Sequence, residues 1–165
     1  MSEVQRRRVD YIAVTRDTYS RLGYSEYRWA YSEGPVPWVR PIRPLSESRL
    51  ALVASGGIYV AGQIAFHFKD DASFRCIPTD VETESLRATH FAYDLEDVRS
   101  DPNVVFPIDV LRELVAEGEI GELAADALAF MGGIYSARKV RDELAPAITR
   151  KLLEQKVDVA LLVPV

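Results

Sequence analysis

The chain has 165 residues, 48 % of them hydrophobic, which is long and apolar enough for one domain with a real core and argues against disorder as a whole. Its 25 Asp and Glu outnumber its 20 Lys and Arg, and the formal net charge of -5 gives no footing for nucleic acid or another polyanion. The one cysteine, Cys76, excludes an internal disulfide framework and a four-thiolate metal site within the chain, as expected in a reducing cytoplasm, and no apolar run approaches membrane-spanning length.

Met1 to Asp10 carries Arg6, Arg7 and Arg8 without the apolar stretch of a secretory signal, so no export is expected. Tyr11, Val14, Thr15, Tyr19 and Leu22 recur at helical spacing, which predicts an amphipathic helix from Val4 to Leu22 closed by Gly23. From Ala30 to Pro44, prolines 35, 37, 41 and 44 fix φ and remove backbone donors, so an extended arm is expected, pinned by Trp38. These two features make residues 1–44 an N-terminal segment, and residues 45–165 an α/β domain.

Leu50 to Ala54 is a continuous apolar run that breaks at Ser55-Gly56-Gly57, as in a strand buried on both faces. Ile58 to Asp97 shows no sustained period and reads as a long irregular excursion with at most short elements. Asn103 to Phe106 suggests a short strand. Pro107 then starts a helix whose Ile108, Leu111, Leu114 and Val115 share a face before Gly118 stops it. Ala127 to Met131 predicts the next strand, ending at Gly132-Gly133, and Ser136 can cap the helical stretch that follows, which Pro146 must kink or restart. Val157 to Val165 reads as a buried parallel strand. Strand, helix and strand recurring in this order argue for an open, mostly parallel sheet with crossover helices, a Rossmann-like or flavodoxin-like half.

Several segments, in this order, carry a resemblance. They are Pro35-Val36-Pro37-Trp38, Pro44 to Arg49 leading into Leu50-Ala51-Leu52-Val53, Phe74 to Asp80, Thr89-His90-Phe91-Ala92-Tyr93-Asp94, Asp101 to Pro107, Phe130-Met131-Gly132 and Val157 to Val165. Together they resemble the selenoprotein B family of glycine, sarcosine, betaine and D-proline reductases over roughly Tyr31 to Val165. The resemblance implies a selenocysteine or cysteine directly after Val165, so the α/β domain is expected to be truncated at its C-terminal end and this chain alone inactive. It further implies reductive carbon–nitrogen cleavage of a small amino acid or N-methylated derivative, a pyruvoyl group on a partner subunit, a thioredoxin-type electron donor, a cytoplasmic setting and an oligomer. A non-catalytic α/β module that holds a small anion or serves assembly is the alternative.

Ligands of open α/β sheets gather outside the carboxyl ends of the strands. That places Ser55, Gly56 and Gly57, whose N–H groups suit a carboxylate or phosphate, and Gly132 and Gly133, as candidate pocket residues. A tight structural turn and close backbone packing explain the same glycines equally well. His90, four residues before Asp94, is the candidate acid for the leaving amine, against a structural histidine. His67, near Asp70 and Asp71, makes with His90 no recognisable metal spacing, so no metal is expected. Cys76 reads as a small hydrophobe sooner than as a resolving thiol, and Asp94, Glu96 and Asp97 as a solvated loop.

Overall fold

The computed structural model describes residues 10–25, 31, 33–37 and 39–165. Val4, the three arginines at 6 to 8, Ala30 and Trp38 therefore lie outside the described residues. The chain divides into two compact units, residues 1–37 and 38–165. In the first, α1 spans Tyr11–Arg21, started by the Asp10 carboxylate, which accepts a hydrogen bond from the Ala13 N–H at 3.1 Å. None of the residues of α1 is buried.

The second unit is built on a mostly parallel sheet. Strand β1, Arg49–Ala54, is the hub, because its run of Leu, Ala and Val can be buried on both faces. On one side it pairs in parallel first with β5, Glu122–Leu123, and then with β6, Asp126–Phe130. On the other side it pairs in parallel over its length with β7, Val159–Val163, from Leu50↔Val159 to Ala54↔Val163. Strand β3, Phe74–Pro78, closes the far edge antiparallel to β6. A small antiparallel pair, β2 at Ile58–Val60 and β4 at Leu86–Ala88, stands apart from this sheet.

Alternation along the strands assigns the two faces. Leu50, Leu52 and Ala54 of β1, with Ala127 and Ala129 of β6 and Ile77 of β3, face a core completed by Ile58, Leu86, Val98 and Phe106. Helix α3, Ile108–Ala116, contributes Ile108 and Leu111 to it. Each Leu, Ile, Val or Phe side chain of this core, fully buried, contributes about 1.5–3 kcal/mol. Ala51, Val53 and Leu128 are buried on the opposite face. Past β6, the Ser136 hydroxyl accepts the Lys139 N–H at 3.3 Å and starts helix α4, Ala137–Lys139. A π-helical turn, Val140–Leu144, follows, and Pro146 then begins α5, Ala145–Glu154, so the proline restarts the helix.

Two expectations change, and two strands, β3 and β5, come in addition, the excursion after Ile58 holding only short elements as expected. The excursion after Ile58 contains β3, a full member of the main sheet, as well as the β2–β4 pair and a short helix α2, Glu96–Ser100. An edge strand has no strand partner on one side, and Arg75 and Pro78 therefore look like loop residues in sequence. The expected strand at Asn103 to Phe106 is instead a 3₁₀ turn, Pro102–Val104, because Pro102 fixes φ and the Asp101 carboxylate accepts the Asn103 N–H at 2.9 Å. The two-residue strand β5 has no signal of its own. Strand β7 is parallel as expected but not buried: Val159 and Val163 pack on the core, while Leu162 on the other face is 68 % exposed.

Candidate functional site

The carboxyl ends of β1, β6 and β7 meet at one edge of the sheet, and Ser55 stitches them together. Its N–H donates to the Val163 carbonyl at 3.0 Å, and its own carbonyl accepts the Gly132 N–H at 2.8 Å. The Ser55 hydroxyl oxygen accepts the Val165 N–H at 2.9 Å. One residue thus fixes where the chain leaves β7 relative to the end of β6.

Gly57 has φ +72°, and a Cβ there would overlap the Thr89 carbonyl oxygen, so only glycine fits. Its N–H donates to the Phe130 carbonyl at 2.9 Å, and its carbonyl accepts the Thr89 N–H at 3.0 Å. That pair of bonds pulls the segment beginning at Thr89 against the turn. With the N–H groups of Ser55 and Gly57 given to strand carbonyls, two of the three donors that the sequence offered to an anion are already occupied.

The segment held in this way brings His90 to the edge. The Ala92 N–H donates to its Nδ1 at 3.1 Å, which assigns the proton of the neutral ring to Nε2. Nε2 itself is buried and has no hydrogen-bond partner. Asp94 does not orient the ring, since its carboxylate accepts the Glu96 N–H at 3.0 Å. Burial pushes the His90 imidazole below the usual histidine range, so at neutral pH it is uncharged and acts as a hydrogen-bond donor more readily than as an acid.

Two aromatic rings flank this imidazole, and a third backs one of them. The Tyr93 ring lies 4.7 Å away and the Phe91 ring 5.8 Å away, and Tyr135 stacks on Phe91 at 6.3 Å. The Tyr93 hydroxyl donates to the Gly56 carbonyl at 2.7 Å, and burial raises its pKa. A Cβ on Gly133 would overlap the Phe91 ring, so the glycine serves as a notch for that ring. The Gly133 N–H lies 3.2 Å from the Met131 sulfur. Ser55, Gly56, Gly57, His90, Gly132 and Gly133 are therefore brought to one place. Phe91, Tyr93, Met131 and Tyr135 belong with them and were missed. The signal available was the clustering of Phe91 and Tyr93 beside His90, which reads as packing until the partner glycines are known.

Cys76 and His67 lie elsewhere. Cys76 pairs with Leu128, which pairs with Val53, which pairs with Leu162. Three strand spacings put it about 14 Å from β7, beyond disulfide reach of a residue just past that strand. Burial raises the thiol pKa. His67 is exposed, with its N–H on the Asp71 carboxylate at 2.8 Å. Among the described residues, no cluster of three or more His, Cys, Asp or Glu could hold a metal.

A family model described as glycine/sarcosine/betaine reductase selenoprotein B matches residues 24–164. The D-proline reductase subunit gamma of Acetoanaerobium sticklandii is 38 % identical over 128 residues, which is 78 % of this chain and 53 % of that protein. The glycine reductase complex component B subunit gamma of Symbiobacterium thermophilum is 33 % identical over 132 residues, and the sarcosine reductase complex component B subunit beta of Peptoclostridium acidaminophilum 29 % over 133. Each of these two matches covers 77 % of this chain and 30 % of the relative. The chain thus spans about half the length of the first relative and under a third of the other two. No solved structure matches the chain significantly.

Proposed function

We propose a function from one premise: the chain belongs to the glycine/sarcosine/betaine reductase selenoprotein B family, whose model covers residues 24–164. On this reading it supplies the scaffold and part of the pocket of an amino-acid reductase complex. The reaction is reductive cleavage of the carbon–nitrogen bond next to a carboxylate, with glycine, sarcosine, betaine or D-proline as the substrate class. Release of the amine takes two electrons, which thiols deliver through a thioredoxin-type donor. A pyruvoyl-bearing subunit is the second partner, and the setting is cytoplasmic. Among the described residues, no helix is long and apolar enough to cross a membrane.

The observation that carries this reading is the convergence of three strand ends on Ser55. A selenocysteine or cysteine directly after Val165 would start from a position fixed by the Ser55–Val165 and Ser55–Val163 hydrogen bonds. It would stand at the edge that also gathers His90, Tyr93 and the two glycine turns, a partly buried surrounding in which electrostatic contacts act strongly. The small-anion module is disfavoured, because Ser55 and Gly57 have given their N–H groups to carbonyls.

The reading frame beyond Val165 tests this directly. A UGA or cysteine codon followed by helix-forming sequence with a nearby cysteine supports it; an ordinary stop with no coding sequence after it overturns it. In the assembled complex, replacing that residue with alanine abolishes substrate-dependent thiol oxidation, and unchanged turnover would defeat the mechanism.

A further inference from the structure

We propose that the Nε2–H of His90 binds a carboxylate, and that the Phe91 ring is the gate over it, closing into the notch left by the absent side chain of Gly133. That the carboxylate is the substrate's rests on the reductase reading above; the gate does not.

The argument begins with an unmet hydrogen bond. The Ala92 N–H occupies the Nδ1 lone pair, the proton sits on Nε2, and Nε2 is buried without an acceptor. Native structures seldom keep such a donor unless its partner arrives from outside the chain. With the proton on Nε2, neither a metal ion nor an ammonium group can bind there, and an anionic oxygen can. The chain's own acid at this edge, Asp70, has its carboxylate on the Tyr135 and Ser136 N–H groups at 2.7 and 3.0 Å, so it does not supply the acceptor that Nε2 lacks.

Two rings flank the imidazole, and they are held differently. Tyr93 is fastened by its hydroxyl to the Gly56 carbonyl, so moving it breaks a hydrogen bond. Phe91 has no polar atom in its side chain, is 46 % exposed, and rests on His90, on the backbone of Gly133 and on Tyr135, itself 66 % exposed. Phe91 is the wall that can swing out without breaking a hydrogen bond. Its closed position exists because residue 133 has no Cβ.

The chain has two histidines, and the exposed His67 serves as an internal reference. Carbethoxylation by diethyl pyrocarbonate at neutral pH, read by peptide mass spectrometry on both, is the test. In the unaltered chain His90 reacts about tenfold or more slowly than His67, as local opening requires. Phe91→Ala raises the His90 rate at least about threefold relative to His67, short of equality because the Ala92 N–H still holds Nδ1, the nitrogen that is acylated, and Gly133→Ala, which displaces the ring, moves it the same way. In the Phe91→Ala chain sodium acetate slows the modification of His90 while leaving His67 unchanged, and at least one of glycine, sarcosine, betaine and D-proline does so at lower concentration. Pyrrolidine and choline, which keep the nitrogen of two of these and lack the carboxylate, give no protection. Equal rates in the unaltered chain, or a His90 rate left unchanged by Phe91→Ala, overturns the gate. No protection by acetate, or protection by choline or pyrrolidine, overturns the carboxylate site. Protection by acetate but by none of the four amino acids upholds the site and defeats the reductase reading.

Discussion

At the amino ends of the parallel strands the sheet is closed by ion pairs, and at their carboxyl ends by glycine turns, aromatic rings and the Asp70 carboxylate, which accepts the Tyr135 and Ser136 N–H groups at 2.7 and 3.0 Å. At the amino end the Arg49 guanidinium meets the Glu122 carboxylate at 2.8 Å and donates to the Gln155 carbonyl at 2.8 Å. Lys151 pairs with Asp126 at 3.1 Å, and the Asp158 carboxylate accepts the Arg49 N–H at 2.9 Å. At the carboxyl end backbone groups hold the strand ends together through Ser55 and Gly57, and the polar side chain left over is the His90 imidazole. The two edges hold the same strands in register. The carboxyl end does so while leaving a low-dielectric surface with an unspent donor, which is what a binding site needs and a purely structural edge does not.

This contrast is broken most severely at Gly57. Gly57→Ala places a Cβ on the Thr89 carbonyl oxygen at a backbone angle that disfavours alanine, so a loss of about 3 kcal/mol or more is expected in urea unfolding. A loss under about 1 kcal/mol would mean that the segment from Thr89 is not held by the turn. Next in size is Gln155 at the opposite edge. Its side chain accepts the Asp126 N–H at 2.7 Å and donates to the Asp126 carbonyl at 3.1 Å. Gln155→Ala should therefore lower stability by about 1–2 kcal/mol and leave the slow modification of His90 unaltered. If His90 becomes reactive, the two edges are coupled and the comparison fails.

How much of this was legible in sequence follows from the range of the interactions. Strands β1 and β6 are apolar runs closed by glycine, and helix α3 is a periodic face between Pro107 and Gly118, so local signals sufficed for them. The glycine turns fall at the carboxyl ends of β1 and β6 because each directly follows an apolar run, which is a local signal. Strand β3 was hidden because its partner β6 lies about fifty residues on and its outer side is met by a loop, where the Gln63 side chain donates to the Cys76 carbonyl at 2.9 Å. The roles of Phe91 and Tyr93 were hidden for the same reason. Tyr93 finds its acceptor 37 residues back at Gly56, and the seat of Phe91 is Gly133. Neither pairing leaves a trace in the residues next to it. The exposure of Leu162 was equally unreadable, since an apolar run states what a strand can bury and not what lies over it.

Tyr93→Phe removes the hydroxyl and leaves the Gly56 carbonyl unpaired, a loss of about 1 kcal/mol. Because the ring remains, His90 should stay covered on that side, and faster carbethoxylation than in the unaltered chain would show that Phe91 is not the sole moving wall. Smaller still are effects that separate the edges by the condition they respond to. Lys151→Gln at the amino edge should cost under about 1 kcal/mol, a difference that shrinks as salt is added, because the pair is partly exposed. At the carboxyl edge the variable is pH. Burial lowers the His90 pKa from its usual 6.5, so as pH falls the unfolded chain binds a proton before the folded one does. Stability accordingly declines as pH drops through the ordinary histidine range and levels off below the folded value. His90→Gln should remove that component, giving a flatter urea midpoint between about pH 7.5 and pH 5 than the unaltered chain. Equal slopes would mean that the imidazole is as free to take a proton in the fold as outside it, and that burial at this edge does not exclude one.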